Sequence, residues 1–216
     1  MLLCRKPRLL LLVCAALLSM SVACQKPAAP PPAANARFGG YPPVPFNDHA
    51  ATNREVQADD LEFTFTDSQG QPLAIRDFQG QKHVVLVFTR GFYGQLCPYC
   101  LTQTASLISN YDRFQSQDAE VLIVYPGDKA KVGEFVAAAK AESDFPNRDV
   151  PFPVVLDEDF KAVDKLGIRA TLASPSTFII DKLGQVRFAY VGGADSDRPS
   201  IKALMAQLAA LQETKK

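Results

Sequence analysis

The 216-residue chain has room for one domain of ordinary size and little beyond it. Its 23 basic and 23 acidic residues balance, which argues against a nucleic-acid binder, where a basic excess is the rule. Five cysteines are too few for a disulfide scaffold, and an odd number cannot all pair within the chain.

The chain opens with Arg5, Lys6 and Arg8, followed by an uncharged apolar run over residues 9–20. A charged start followed by a short apolar stretch is the pattern of a secretory signal, and the run is short for a membrane span of about 20 residues. Small residues then precede Cys24, in S-V-A-C. This arrangement resembles a bacterial lipoprotein signal, although Ser21 stands where that motif usually has Leu. The resemblance implies cleavage after residue 23 and lipidation of Cys24. It implies an exported, membrane-anchored protein facing the periplasm of a Gram-negative bacterium. Gln25, not an acid, follows the cysteine and favours the outer membrane. Ordinary cleavage near Ala23 is the alternative. Loss of residues 1–23 would remove three basic residues, no acids, Cys4 and Cys14. The remainder would carry 20 basic and 23 acidic residues, and its only cysteines besides Cys24 would be Cys97 and Cys100.

Seven of the 16 prolines fall in residues 25–48, mixed with alanine. Such composition favours extended polyproline backbone and lacks apolar periodicity, so residues 24–50 are expected to be a tether. The globular pattern is expected from 51 to 216. Residues 61–66 alternate as a half-buried strand, 67–70 read as a turn, and 73–75 resume, which predicts a hairpin. The apolar run 84–88 predicts a strand buried on both faces. A helix is expected over 101–114, a second buried strand over 121–125, and an alanine-rich helix over 129–142. A short strand at 154–156 and a helix at 158–166 follow. Residues 177–180 and 186–190 flank D-K-L-G, a hairpin signal. The amphipathic segment 200–213 predicts a last helix capped by Ser200. Alternating elements around buried strands indicate an α/β layered sheet.

The chemistry concentrates between the strand at 84–88 and the helix from 101, where the chain reads T-R-G-F-Y-G-Q-L-C-P-Y-C. A C-x-x-C at a strand-to-helix junction is a redox motif. Cys97 is expected at the helix N-cap, with Pro98 at the first helical position, where its missing N–H costs nothing. Free N–H groups and the dipole there favour a thiolate on Cys97, the species that attacks disulfides. Cys100 lies one turn along and can resolve a mixed disulfide. A zinc site would need further ligands, and the chain has only His49 and His83 to offer beside the pair. A structural bridge would close too small a loop to stabilise much.

Three segments resemble the thioredoxin-like superfamily, and within it the redoxin branch: the alkyl hydroperoxide reductase/thiol-specific antioxidant (AhpC/TSA) family and its peroxiredoxin-like relatives. They are D-F-Q-G-Q at 77–81 before the strand V-V-L-V-F, Arg90-Gly91 before C-P-Y-C-L-T-Q at 97–103, and S-P-S-T-F-I-I-D at 174–181. The resemblance implies a thioredoxin-like fold over about 52–213. That fold is a central mixed β-sheet flanked by helices, here with an N-terminal β-hairpin extension. It implies that Pro175 is held in cis opposite the cysteines and that Ser174 presents backbone groups to a substrate strand. Arg90, Tyr99 and Gln103 join these as supporting residues. Some positions depart from the pattern. Gly94 stands where peroxiredoxins have the peroxide-polarising Thr, and Arg90 where they have Pro. Leu96 replaces the Trp of thioredoxins, and Gln103 replaces a Glu of cytochrome-maturation redoxins.

The expected activity is thiol–disulfide oxidoreduction, with Cys97 attacking and Cys100 resolving. The redox group is the Cys97–Cys100 disulfide itself, with no metal or organic cofactor. Partners would be a thiol or disulfide protein substrate or a peroxide, a thiol electron donor, and the membrane through the lipid anchor. The alternatives are a peroxidase acting through Cys97 and a non-catalytic binding lipoprotein with a static bridge.

Overall fold

The computed structural model describes residues 44–213. The expected signal, Cys24 and most of the tether lie outside them. Seven strands form one mixed sheet: β1 (Thr64–Asp67), β2 (Pro72–Ala74), β3 (His83–Phe88), β4 (Ala119–Pro126), β5 (Val154–Asp157), β6 (Ser176–Ile180) and β7 (Val186–Val191). Their order is β2-β1-β5-β4-β3-β6-β7. β3, β4 and β5 are parallel neighbours, whereas β6 and β7 add antiparallel on one side and the β1–β2 hairpin on the other. The helices are α1 (Pro98–Ser109), α2 (Tyr111–Gln115), α3 (Val132–Glu142), α4 (Lys161–Lys165) and α5 (Ile201–Glu213). Among the described residues no helix is long and apolar enough to cross a membrane.

The central strands are apolar throughout because both their faces are covered. Side chains alternate across a strand, so Val85, Val87, Val121, Ile123 and Tyr125 join one core and Val84, Leu86, Phe88, Leu122 and Val124 the other. The first core takes in Leu101, Leu107, Phe135, Leu204 and Leu208 from α1, α3 and α5. The second takes in Phe65 of β1 and Ala162 and Val163 of α4. The two cysteines belong to the first core.

The thioredoxin-like mixed sheet, its flanking helices and the N-terminal hairpin agree with expectation. Several boundaries shift, the strand expected from 61 starting only at Thr64 and the helix expected over 158–166 spanning Lys161–Lys165, and two further shifts have a traceable cause. The helix expected over 101–114 breaks at Asn110, whose side chain donates to the Ser106 carbonyl at 2.8 Å and ends α1. The last residues assigned to the tether are part of the domain. Val44 and Ala50 are buried, and Asn47 pairs with Pro199 in a short parallel bridge. Asn53 donates its N–H to the Ala189 carbonyl at 3.0 Å, and its side chain takes both backbone groups of Val191 at 2.9 Å each. The segment therefore lies along the outer rim of β7. Composition marked these residues as Pro-rich and unpatterned, but it carries no information on side chains pairing with a distant strand.

Ser200 caps α5 as expected, accepting the Ala203 N–H at 3.0 Å. His83 begins β3 and is buried.

Candidate active site

The site forms where the loop after β3 meets the loop after β7. Gly91 directs the first loop. Its φ of +93° is in the left-handed region, and a Cβ there would lie 2.6 Å from the Pro126 carbonyl oxygen. Only glycine allows the backbone so close to the end of β4. The chain then makes a small antiparallel bridge between Phe92 and Leu96 and enters α1. Lys131 lies over the Phe92 ring at 4.7 Å, and Tyr93 projects outward, 72% exposed. Tyr99 is half-buried and packs against the core.

Cys97 is the N-cap of α1, with extended backbone (φ −71°, ψ 111°), and Pro98 opens the helix. The Cys97 Sγ accepts the N–H of Cys100 at 3.3 Å. This satisfies one of the helix's unpaired N-terminal donors. Both cysteines are free thiols. Cys97 keeps 8% of its surface exposed and Cys100 only 1%, so Cys97 offers the accessible sulfur.

Arg90 contributes differently from expectation. Its backbone N–H reaches the Cys100 Sγ at 3.3 Å, while its guanidinium turns away to Asp195 at 2.7 Å. A second arginine supplies the charge. Arg198, in the loop between β7 and α5, is 1% exposed. Its Nη2 lies 3.2 Å from the Cys100 Sγ and 3.9 Å from the Cys97 Sγ. Its Nη1 donates to Gln103 Oε1, and its Nε donates to the Asp195 carbonyl at 3.2 Å. Of these four acceptors only the sulfurs can ionise. A buried cation without a countercharge is costly, so this guanidinium calls for a thiolate. Gln103 thus acts as an uncharged clamp on Arg198, one turn along α1 from Cys100.

The pair shares its charge unevenly. Burial opposes ionisation of Cys100, but the hydrogen bond from Cys97, the Arg198 charge and the Arg90 N–H outweigh it and bring Cys100 down to about 6. Donating that same bond, then burial and the neighbouring anion, push the Cys97 thiol well above its ordinary range. Two sulfurs this close lose their protons as a unit, and the first leaves early. The thiolate expected on Cys97 is here a property of the pair, whose shared charge faces the guanidinium at 3.2 Å from the Cys100 sulfur and 3.9 Å from the Cys97 sulfur. Tyr125 of β4 faces the same core. Burial, then the Cys100 charge, raise its phenol far above the ordinary range, so it stays neutral.

Pro175 and Ser174 also differ from expectation. No cis peptide bond occurs among the described residues, so the Ser174–Pro175 bond is trans. The Ser174 N–H donates to the Ile168 carbonyl at 2.8 Å, and its own carbonyl accepts the Ser176 hydroxyl at 3.0 Å. Internal partners therefore occupy the groups expected to face a substrate. Pro175 instead supports the Arg198 loop. Its carbonyl accepts the Gly192 N–H at 2.8 Å. A Cβ on Gly192 would lie 2.9 Å from the Pro175 Cγ and 2.3 Å from the Asp197 carbonyl oxygen.

Sequence reasoning named Cys97, Cys100, Gln103 and Arg90, the last without its backbone N–H, and missed Arg198. In A-D-S-D-R-P-S a charged residue between a strand and a helix reads as a solvated loop, and no local pattern marks it as buried.

Residues 56–189, more than half of the chain, match the AhpC/TSA family. Chloroplastic peroxiredoxin Q of Oryza sativa subsp. japonica is 27% identical over 132 residues, which cover 59% of this chain and 55% of that protein. The thiol-disulfide oxidoreductase ResA of Geobacillus thermodenitrificans is 27% identical over 132 residues, covering 61% of this chain and 66% of that protein. The match thus spans about half the length of the plant relative. Among solved structures, a cysteine-to-serine mutant of peroxiredoxin 6 from Arenicola marina superposes with a TM-score of 0.63 at 20% identity, covering 72% of each chain. At that identity the likeness concerns the fold.

Proposed function

The chain belongs to the AhpC/TSA family, and from that premise we propose that it is a thiol–disulfide oxidoreductase with Cys97 attacking and Cys100 resolving. The observation that carries this reading is the buried Arg198, held against two free thiols that alone among its hydrogen-bond acceptors can ionise. A substrate disulfide approaches Cys97, the less buried of the two sulfur-bearing residues. As it does, the Cys97 proton passes along the S–H···S contact to Cys100. The Cys97 thiolate attacks one sulfur of the disulfide, and the other leaves as a thiolate. Cys100 then gives its proton to the departed substrate thiolate, attacks the Cys97 sulfur and releases the second substrate thiolate. The substrate has gained two electrons and the pair has become a disulfide, which a thiol donor protein returns to the dithiol. Arg198 stabilises the anion on whichever sulfur holds it, since its Nη2 faces both.

The relative named ResA supports this reading. The peroxiredoxin Q relatives favour a second one, peroxide reduction. There the Cys97 thiolate takes one peroxide oxygen, the other leaves as an alcohol or water, and Cys100 condenses with the sulfenic acid to give a disulfide and water. Gly94 offers no hydroxyl where peroxiredoxins place their Thr, which favours the disulfide reading. Purified protein should reduce a disulfide substrate with turnover, Cys97→Ser should abolish this, and Cys100→Ala should trap the partner as a mixed disulfide. Fast oxidation by peroxide with no disulfide turnover would replace the first reading by the second.

The same proposal includes an exported protein anchored by lipid on Cys24, facing the periplasm at the outer membrane. The support is the S-V-A-C sequence after a basic and apolar start. Cys24→Ala should release the protein from the membrane fraction. Unchanged membrane retention would overturn the anchor.

A further inference from the structure

Arg198 is held from behind as well as from the thiol side. The Asn47 N–H donates to the Arg198 carbonyl at 2.8 Å, and the Asn47 carbonyl accepts the Ser200 N–H at 2.9 Å. Its side-chain amide donates to the Tyr190 hydroxyl at 3.2 Å, and that hydroxyl donates to Asp197 Oδ1 at 2.6 Å. Asp197 Oδ2 accepts the Gly193 N–H at 2.9 Å. One residue thus grips the Arg198 loop at its own carbonyl and, through Tyr190, at the residue before it. The neighbouring Ala50 is buried in the core that holds both cysteines. Farther along, Asn53 is bonded to β7 only, at Ala189 and Val191.

We propose that residues 44–53 form a strap in which Asn47 is a positioning residue: it fixes the Arg198 loop so that the guanidinium stays in contact with the two sulfurs. The thiol pair's acidity then depends on a segment far from both cysteines in sequence. A guanidinium free to move by an ångström or two would reach solvent and lose most of its effect on the thiols, because water screens the charge. The other groups around the pair cannot replace it. The Arg90 guanidinium is engaged by Asp195, Tyr125 from β4 is neutral, and Gln103 carries no charge. The inference rests on the proposed function only in taking the pair as the reactive centre.

The test titrates thiolate absorbance in the reduced full-length chain, which needs no turnover and so stands apart from any failure of enzyme activity. Asn47→Pro removes the N–H that holds the Arg198 carbonyl. It should raise the first thiol midpoint by about one pH unit, a roughly tenfold loss of thiolate below the midpoint. Tyr190→Phe removes only the hydroxyl between Asn47 and Asp197 and should shift the midpoint the same way by about threefold in population. Asn53→Ala loosens the strap from β7 and should lower Tm with the midpoint unchanged. Added to Arg198→Met, Asn47→Pro should give no further shift, because the two act through one contact. Equal midpoints in wild type and Asn47→Pro, or equal shifts in Asn47→Pro and Asn53→Ala, would overturn the proposal. Should Asn47→Pro fail to fold, an unmoved midpoint in Tyr190→Phe overturns it instead.

Discussion

The active site is assembled from two loops of opposite character. The loop after β3 carries Cys97 and Cys100 at a fixed local spacing, and the helix that begins there dictates their geometry. The loop after β7 carries Arg198, about a hundred residues later, and its geometry depends on contacts with distant parts of the fold. The first loop supplies the atoms that change bonds and the second supplies the field they work in. A helix N-terminus alone lowers a thiol modestly, whereas the hydrogen bond from Cys97 together with the buried cation brings Cys100 to about 6.

The sharpest test of this division removes one element from each loop. Cys97→Ser should eliminate disulfide reduction, a loss of more than about a thousandfold, because among the described residues the other cysteine, Cys100, is the more deeply buried. Arg198→Met should leave the motif and helix intact yet return the first thiol from about 6 toward the ordinary value. At pH 7 the thiolate fraction should then fall several-fold, read by alkylation rate across pH. If alkylation of Arg198→Met follows the wild-type profile, the helix rather than the second loop sets the acidity. Arg198→Lys should recover part of the effect, since an ammonium keeps the charge but cannot reach Gln103 and two sulfurs together.

Smaller effects refine the picture. Gly192→Ala should cost about 1–3 kcal/mol of stability, measured by chemical denaturation, because its Cβ would collide with the Asp197 carbonyl and Pro175. Breaking the exposed Arg90–Asp195 pair with Asp195→Asn should cost at most about 1 kcal/mol and leave the thiol profile in place. A large shift in that variant would transfer part of the electrostatic role from Arg198 to Arg90.

The contrast also explains what the sequence made legible. Strands such as β3 and β4 are visible because β-branched runs covered on both faces need nothing beyond local composition. The Cys97–Cys100 arrangement is visible because one helical turn fixes it. The helix break at Asn110 and the packing of residues 44–50 are not, because each depends on a partner distant in sequence or on a single side-chain bond. Pro175 lies between these cases. The S-P-S-T-F-I-I-D segment led correctly to the strand β6, but the residue's partner, Gly192, belongs to the next loop. A pattern read along the chain assigned Pro175 to substrate, whereas its neighbours assign it to supporting Arg198.

The cover over β7 limits how a client polypeptide can be recognised. An exposed rim strand is an open template on which an extended peptide can add as a further strand. Here Thr52 and Asn53 already occupy the backbone groups of Ala189 and Val191. The opposite rim, β2, is three residues long and starts with a proline that has no N–H to offer. A client would have to displace the chain's own residues before it could pair with β7. On the proposed function, selectivity would then fall to the surroundings of a client's disulfide and not to an extended backbone.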